Sequence, residues 1–319
     1  MNMAALTDHS EITKALALKE SREHLGPEME ALKLDMQSRA TTISGSLLIN
    51  SNPTTTTNNC FNTIKKTVHF IRHGQGFHNL LADMARASNK TWTQFQVEPN
   101  NPYTMPEVTD APLTDKGRNQ AMLLRNETKN LGTELVVVSP LCRATQTGLL
   151  AFSHIVGIVP FVANEGEFHS FCLRSPLKHK ANSNSPTSLM LASLRSAPLR
   201  SDCREESGVH FCDKRRAVSE LKREFGATVD FKNILSEEDP LFSESGRETK
   251  KEVGERIYNF LIWLRDREEG EIGVASHSGW LMSLFNGVVS VDREEDKSLK
   301  EWFGTGEMKS VELVFSTKK

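Results

Sequence analysis

Apolar residues recur along this chain in two rhythms that alternate from residue 67 onward. Thr67–Ile71, Glu134–Val138, Ile272–Ala275 and Val311–Phe315 are short, largely apolar runs and predict strands. Helical signals lie between them. One helix is expected around His78–Ala87. A second opens at Leu113-Thr114-Asp115, with Thr114 as its N-cap and Gly132 as its stop, and a third covers Leu141–Phe152. Across Ser245–Arg267, Val253, Ile257, Phe260, Leu261 and Leu264 fall at the spacing of an amphipathic helix, and a further helix is expected near Gly279–Phe285. Strands that are apolar throughout, separated by helices, imply an α/β protein with a partly parallel sheet covered on both faces.

Two regions depart from this rhythm. Residues 10–35 are charged and helix-permissive, broken at Gly26-Pro27, with a loose stripe of Leu16, Leu18, Leu25, Met29, Leu32 and Leu34. Ser38 to Asn62 is rich in Ser, Thr and Asn, includes a run of Thr at 54–57, and holds no acid. The first 66 residues therefore read as a separate N-terminal arm ending in a linker, and 67–319 as one domain with a large core. A chain trimmed to about Asn62 is expected to keep its fold. The second region, 168–201, holds eight serines and the basic residues Arg174, Lys178, Lys180, Arg195 and Arg200 without an acid. It reads as a surface insertion, with a basic lid over an anionic substrate as the functional alternative.

Composition narrows the class. With 39 basic against 41 acidic side chains in 319 residues, the net charge of −2 argues against a general nucleic-acid or anionic-membrane binder. No apolar run approaches the ~18 residues of a membrane span, and the first residues carry acids where a secretory signal or transit peptide would not. Five cysteines, at 60, 142, 172, 203 and 212, form no C-x-x-C pair, which suits reduced thiols. A cytoplasmic globular protein is expected.

The candidate chemistry sits where strands end. Arg72-His73-Gly74-Gln75-Gly76-Phe77-His78-Asn79 follows one strand, Ser139-Pro140-Leu141-Cys142-Arg143 a second, and Ser276-His277-Ser278-Gly279 a third. In an open α/β sheet ligands bind beyond the carboxyl ends of the strands, so two histidines and two arginines share one rim. The helix starts that follow add N–H donors suited to phosphate. A neutral imidazole is a capable nucleophile near pH 7, and flanking guanidiniums lower its pKa and grip phosphoryl oxygens. Arg72 beside His73 disfavours a two-histidine metal site, as does the lack of H-E-x-x-H or a carboxylate-rich motif. No metal or other cofactor is expected. His69 shares a strand face with His73 and reads as a packed residue.

These segments, in this order, resemble the histidine phosphatase superfamily, also called phosphoglycerate mutase-like proteins. VHFIRHGQGFHN is similar to its R-H-G segment, DAPLTDKGRNQ to its L-T-x-x-G helix start, SPLCRATQT to its S-P-L-x-R-x-x-Q-T segment, and ASHSGWL to its late histidine motif. CREESGVHFCDKRR, at 203–216, and GEMKSVELVF near the end resemble segments of the plant-type branch. Gln75 stands where many members carry Glu, and Arg118 where Trp is common. The resemblance implies a three-layer α/β/α sandwich with a mixed, mostly parallel sheet. It also implies His73 as the nucleophile, His277 as the second catalytic histidine, Arg72, Asn79 and Arg143 as phosphate-binding residues, and Glu205 as the proton donor. Glu206 would then be an ordinary loop carboxylate.

True phosphoglycerate mutases follow R-H-G with an F-x-G-W-x-D stretch, which is missing between His78 and Leu113. The expected function is therefore hydrolysis of a small phosphate monoester through a phosphohistidine. Mutase-type transfer, or a binding protein of low activity, are the alternatives.

Overall fold

The computed structural model describes residues 26–48, 61–88, 101–168 and 199–318. Helix α1 covers 26–37, followed by strand β1 (Thr41–Leu47), β2 (Phe61–Arg72), α2 (Phe77–Ala87), α3 (Asp115–Thr128), β3 (Leu135–Val138), α4 (Cys142–Ala151) and β4 (Phe161–Ala163). The chain continues through β5 (Glu165–Phe168), β6 (Leu199–Asp202), α5 (Val218–Phe225), α6 (Lys250–Arg265), β7 (Glu271–Ser276), α7 (Ser278–Ser283) and β8 (Met308–Lys318). Six strands form one sheet in the order β1-β8-β2-β7-β3-β4, and β5 pairs with β6 apart from it. Strands β2, β7, β3 and β4 run parallel, while β8 is antiparallel to both β1 and β2. The sheet is mixed and mostly parallel, as the family resemblance implies.

The uniformly apolar strands feed two cores. Val68, Phe70, Leu135, Val137, Ile272 and Val274 turn to a face covered by α1, α6 and α7. Val136, Val138, Ala275 and Ile71 turn to the opposite face, covered by α4 and α5. Alternate residues of one strand thus enter different hydrophobic layers, and helices lie on both sides. His69 is packed, as expected, bonded to Ser310 Oγ at 2.8 Å and Glu271 at 3.0 Å. Among the described residues, no helix is long and apolar enough to cross a membrane.

The N-terminal expectation needs correction. Met29, Leu32 and Met36 of α1 and Ile43 of β1 belong to the first core, and β1 pairs with β8 over its whole length. Residues 26–47 are therefore part of the domain rather than a detachable arm. Part of the stretch that suggests a linker is an outer strand, in which Thr41, Ile43 and Gly45 turn inward while Thr42 and Ser44 face solvent; residues 1–25 and 49–60, with the Thr run at 54–57, lie outside the described residues. Leu32 fits where two glycines make room, since a Cβ on Gly254 or Gly287 would lie 2.3 or 2.4 Å from its side chain. Of the insertion at 168–201, 169–198 lie outside the described residues, and its ends belong to the β5–β6 pair.

Candidate active site

Parallel pairing brings the three strand-end segments together. β7 lies between β2 and β3, and its register continues past the strand ends: His73 N–H donates to the Ser276 carbonyl, and Ser139 N–H to the Ala275 carbonyl, both at 3.0 Å. His73, Ser139 and His277 consequently stand in one row on the rim. The strand β8, antiparallel to β2, delivers a fourth segment that sequence reasoning missed. Arg72 N–H donates to the Glu307 carbonyl at 3.0 Å, and Arg72 Nη1 to the Phe303 carbonyl at 2.6 Å, with the Trp302 ring 5.9 Å from its guanidinium.

The loop after β2 is held by backbone contact with α3. A Cβ on Gly74 would lie 2.3 Å from the Gly117 carbonyl oxygen, and one on Gly117 would lie 2.1 Å from that of Gln75. That is why both motifs need glycine: the two chains touch main chain to main chain. Thr114 caps α3 through Gly117 N–H, as predicted, and also donates to Gln75 Oε1 at 2.9 Å. From α4, Thr147 Oγ1 accepts Gly74 N–H at 3.0 Å, and Gln146 accepts Leu113 N–H at 2.9 Å. Asn79 folds back so that its Oδ1 accepts Gly76 N–H at 3.0 Å, closing the loop. Asp110, at φ +45°, accepts Cys142 N–H at 2.7 Å and so caps the helix that carries Arg143.

His73 is buried and its tautomer follows from its partners. The Gly74 carbonyl, 2.6 Å from Nδ1, can only accept, so Nδ1 carries the proton. Arg143 Nε donates to Nε2 at 3.2 Å, so Nε2 presents its lone pair to the arginine. Burial, then the Arg143 charge, holds this imidazole well below the ordinary histidine range, which keeps it neutral near pH 7. His277, 5.1 Å away between ring centroids, is depressed for the same two reasons. Its Nε2 lies 2.7 Å from Ser139 Oγ, and its buried Nδ1 has no partner. Arg72 Nε is likewise buried and unpartnered. Unsatisfied buried groups on the residues beside His73 in chain and in space suit a polar ligand.

Arg143 is anchored by a residue that sequence reasoning missed. Asp213 accepts from Arg143 Nη2 at 2.8 Å, and the Cys212 carbonyl accepts from Nη1. Burial opposes ionisation of Asp213, but the facing His210, Arg247 and Arg143 outweigh it and hold its carboxyl well below the usual range. The signal was an acid embedded in the basic stretch CDKRR, directly after a cysteine.

The same loop carries Glu205 and Glu206, which the structure separates. Glu205 is buried at the start of α7. Its Oε1 accepts Trp280 N–H at 2.9 Å and its Oε2 accepts Gly279 N–H at 3.0 Å. Arg256 of α6 clamps the carbonyls of residues 204 and 205 at 2.8 and 2.9 Å, and Ser276 Oγ donates to the Cys203 carbonyl at 2.7 Å. Glu206 is no ordinary loop carboxylate: it pairs with Arg247 at 2.9 Å and with Lys250. Although burial opposes ionisation, these two cations hold it below the usual carboxylate range.

The histidine phosphatase superfamily (branch 1) model matches residues 68–160, which contain Arg72, His73, Asn79 and Arg143. A phosphoglycerate mutase-like protein of Arabidopsis thaliana is 34% identical over 227 residues, covering 69% of this chain and 74% of the relative. The chain belongs to the histidine phosphatase superfamily. A second relative in this superfamily, phosphoglycerate mutase-like protein 1 of Arabidopsis thaliana, is 30% identical over 261 residues, covering 78% and 81% of the two chains. A solved mycobacterial glucosyl-3-phosphoglycerate phosphatase in complex with VO3 superposes with a TM-score of 0.38 at 14% identity, over 77% of this chain and 92% of that one.

Proposed function

We propose that this histidine phosphatase-superfamily chain hydrolyses phosphate monoesters through a phosphohistidine at His73. The observation that carries the proposal is the fixed tautomer: Nδ1–H is spent on Gly74, and the Nε2 lone pair faces Arg143 beside the unpartnered Arg72 Nε and His277 Nδ1. In the first step the Nε2 lone pair forms a bond to phosphorus as the bond to the ester oxygen breaks. Arg72, Arg143 and His277 donate to the phosphoryl oxygens while charge builds on them, and Asn79 keeps the loop closed beneath them. Glu205 gives its proton to the departing alkoxide. In the second step Glu205 takes a proton from water, whose oxygen attacks phosphorus, and the P–N bond breaks to release orthophosphate and neutral His73. Glu206, held ionised by Lys250 and Arg247, is unsuited to the acid role.

Hydrolysis is favoured over mutase-type transfer by the charge around the site. A phosphoglycerate carries a carboxylate that needs its own cation, whereas among the described residues Arg143 is paired with Asp213, Arg247 with Glu206 and Asp213, and Lys250 with Glu206. The test is acid-labile labelling of the protein by a radioactive aryl phosphate, with orthophosphate release measured in wild type and His73→Ala. Both signals are expected in wild type and neither in the variant; label persisting in His73→Ala overturns the assignment. Interconversion of phosphoglycerates with a bisphosphate primer, faster than phosphate release, would overturn the hydrolase reading.

A further inference from the structure

Three rings that the phosphoryl chemistry does not use lead away from the nucleophile. His78 lies 5.6 Å from His73, Tyr103 lies 5.8 Å from His78, and His210 lies 5.4 Å from Tyr103, all as tilted ring pairs. They come from three separate segments, each with its own means of placing the ring. His78 folds onto Gly76, where a Cβ would meet its Nδ1 at 2.7 Å, and that buried Nδ1 has no hydrogen-bond partner. Tyr103 sits in a turn whose first residue, the buried Asn101, accepts Tyr103 N–H on its side chain at 2.9 Å.

His210 is placed at the expense of backbone strain. Val209 adopts φ +62°, a left-handed conformation that β-branched residues avoid. The strained turn is held by Val209 N–H to the Ser243 carbonyl and by His210 N–H to the Gly208 carbonyl, both at 2.7 Å. Gly208, at φ +95°, has the Gly246 carbonyl 2.0 Å from where a Cβ would be. Strain of this kind costs about 1–3 kcal/mol and persists where the surroundings impose it, typically at ligand sites. Here it turns His210 toward Tyr103, with its Nδ1 3.7 Å from Asp213. The loop is the one that carries Glu205, so the row of rings runs from the nucleophile's loop to the proposed acid's loop. The departing oxygen must lie between those two groups.

We propose that His78, Tyr103 and His210 line a subsite for the leaving group, and that it selects phosphate esters of flat, uncharged alcohols carrying an aromatic or heteroaromatic ring. Ring faces bind such a group by tilted or offset stacking. Burial keeps the Tyr103 phenol protonated well into the alkaline range and the His78 imidazole neutral, so neither supplies a counter-charge to an anionic leaving group. Among the described residues, Arg143 is engaged with Asp213, Arg86 with Asp83, and Lys214 over the Phe211 and Phe242 rings, while Arg72 is reserved for the phosphoryl group. Tyr103 is half-buried, the most exposed of the three rings.

The inference rests on His73 accepting the phosphoryl group, and its test separates the two ideas. Benzyl phosphate and propyl phosphate release alkoxides of similar basicity, so their kcat/KM ratio isolates recognition of the ring. The full chain should favour benzyl phosphate by about tenfold, and favour it over 3-phosphoglycerate as well. Tyr103→Leu and His210→Leu should each bring the ratio below about threefold. A wild-type ratio near one, a ratio retained in both variants, or a preference for 3-phosphoglycerate overturns the proposal. Tyr103→Leu guards against a misfolded His210→Leu, and thermal midpoints report on both. If no ester is hydrolysed and no label forms, the hydrolase reading fails, but calorimetry with benzyl and propyl phosphonates still decides the subsite. Tenfold tighter benzyl binding, lost in Tyr103→Leu, sustains it, and equal affinities overturn it.

Discussion

Acidification from pH 7 to pH 5 is expected to destabilise this fold steeply, through the imidazoles of the site itself. His73, His78 and His277 are buried, and each is held well below the ordinary histidine value by burial first and the Arg143 charge second. The unfolded chain begins to take up protons on these rings near the ordinary value of about 6.5, while the folded chain does not. Their neutral form is the folded one, so their stability is intact above about pH 6.5 and declines as the pH falls below it. Each group contributes up to about 1.4 kcal/mol per pH unit, and the three together about 4. His69, lowered by burial despite its Glu271 partner, acts in the same sense. Asp110 acts oppositely: burial, against its Arg216 partner, pushes it up to about 6, so between there and the ordinary carboxylate value the folded state gains the proton. That offsets at most about 1.4 kcal/mol per unit. A net loss of about 3 kcal/mol between pH 6 and pH 5 is a large share of a typical domain stability of about 5–15 kcal/mol. Urea unfolding followed by tryptophan fluorescence at several pH values measures the slope in wild type and in His78→Gln. The variant should start less stable at pH 7 and have a slope shallower by about 1.4 kcal/mol per unit. A wild-type stability that is flat between pH 6 and 5, or an unchanged slope in His78→Gln, would refute the reasoning.

Leu32→Ala should lose about 2–5 kcal/mol in urea unfolding, because Leu32 fills the gap between Gly254 and Gly287; a loss below about 1 kcal/mol would mean α1 does not belong to the core. Asp213→Asn should leave Arg143 buried without its carboxylate, at about 3–5 kcal/mol distributed between stability and kcat/KM, and a variant matching wild type in both would dismiss Asp213 as an anchor. Glu205→Gln should slow alkyl phosphates by about 10²–10⁴-fold and activated aryl phosphates much less, whereas equal losses on both would indicate a binding role. Glu206→Gln should instead lower the thermal midpoint, since it strips Lys250 and Arg247 of their partner. Hydrolysis should survive EDTA, and a loss restored by Mg²⁺ or Zn²⁺ would bring back the metal reading set aside from the sequence.

Much of the parallel half of the sheet was legible because its signals are local. Runs such as Leu135–Val138 are apolar at every position only when both faces are covered, and Thr114 before Asp115 is a cap wherever the helix lies. The rim segments were legible for the same reason: each follows its strand directly, and parallel strands end on one side. What the sequence left undecided depends on residues far apart along the chain. Residues 41–47 carry the composition of a linker, and only pairing with β8, more than 260 residues later, makes their alternation a buried and an exposed face. Glu205 and Glu206 are adjacent and chemically identical. One is captured by N–H groups of α7 and the other by Lys250 and Arg247, a division made by where the backbone turns. Asp213 gains meaning only beside Arg143, and His78, Tyr103 and His210 become a row only when three segments converge. Residue type and local spacing therefore determined the central strands with the helices between them, the rim and the chemistry on offer, but not β1, β4 or α5. The partner of each charge was decided by tertiary structure, because burial and electrostatic pairing are properties of contacts that a linear chain does not contain.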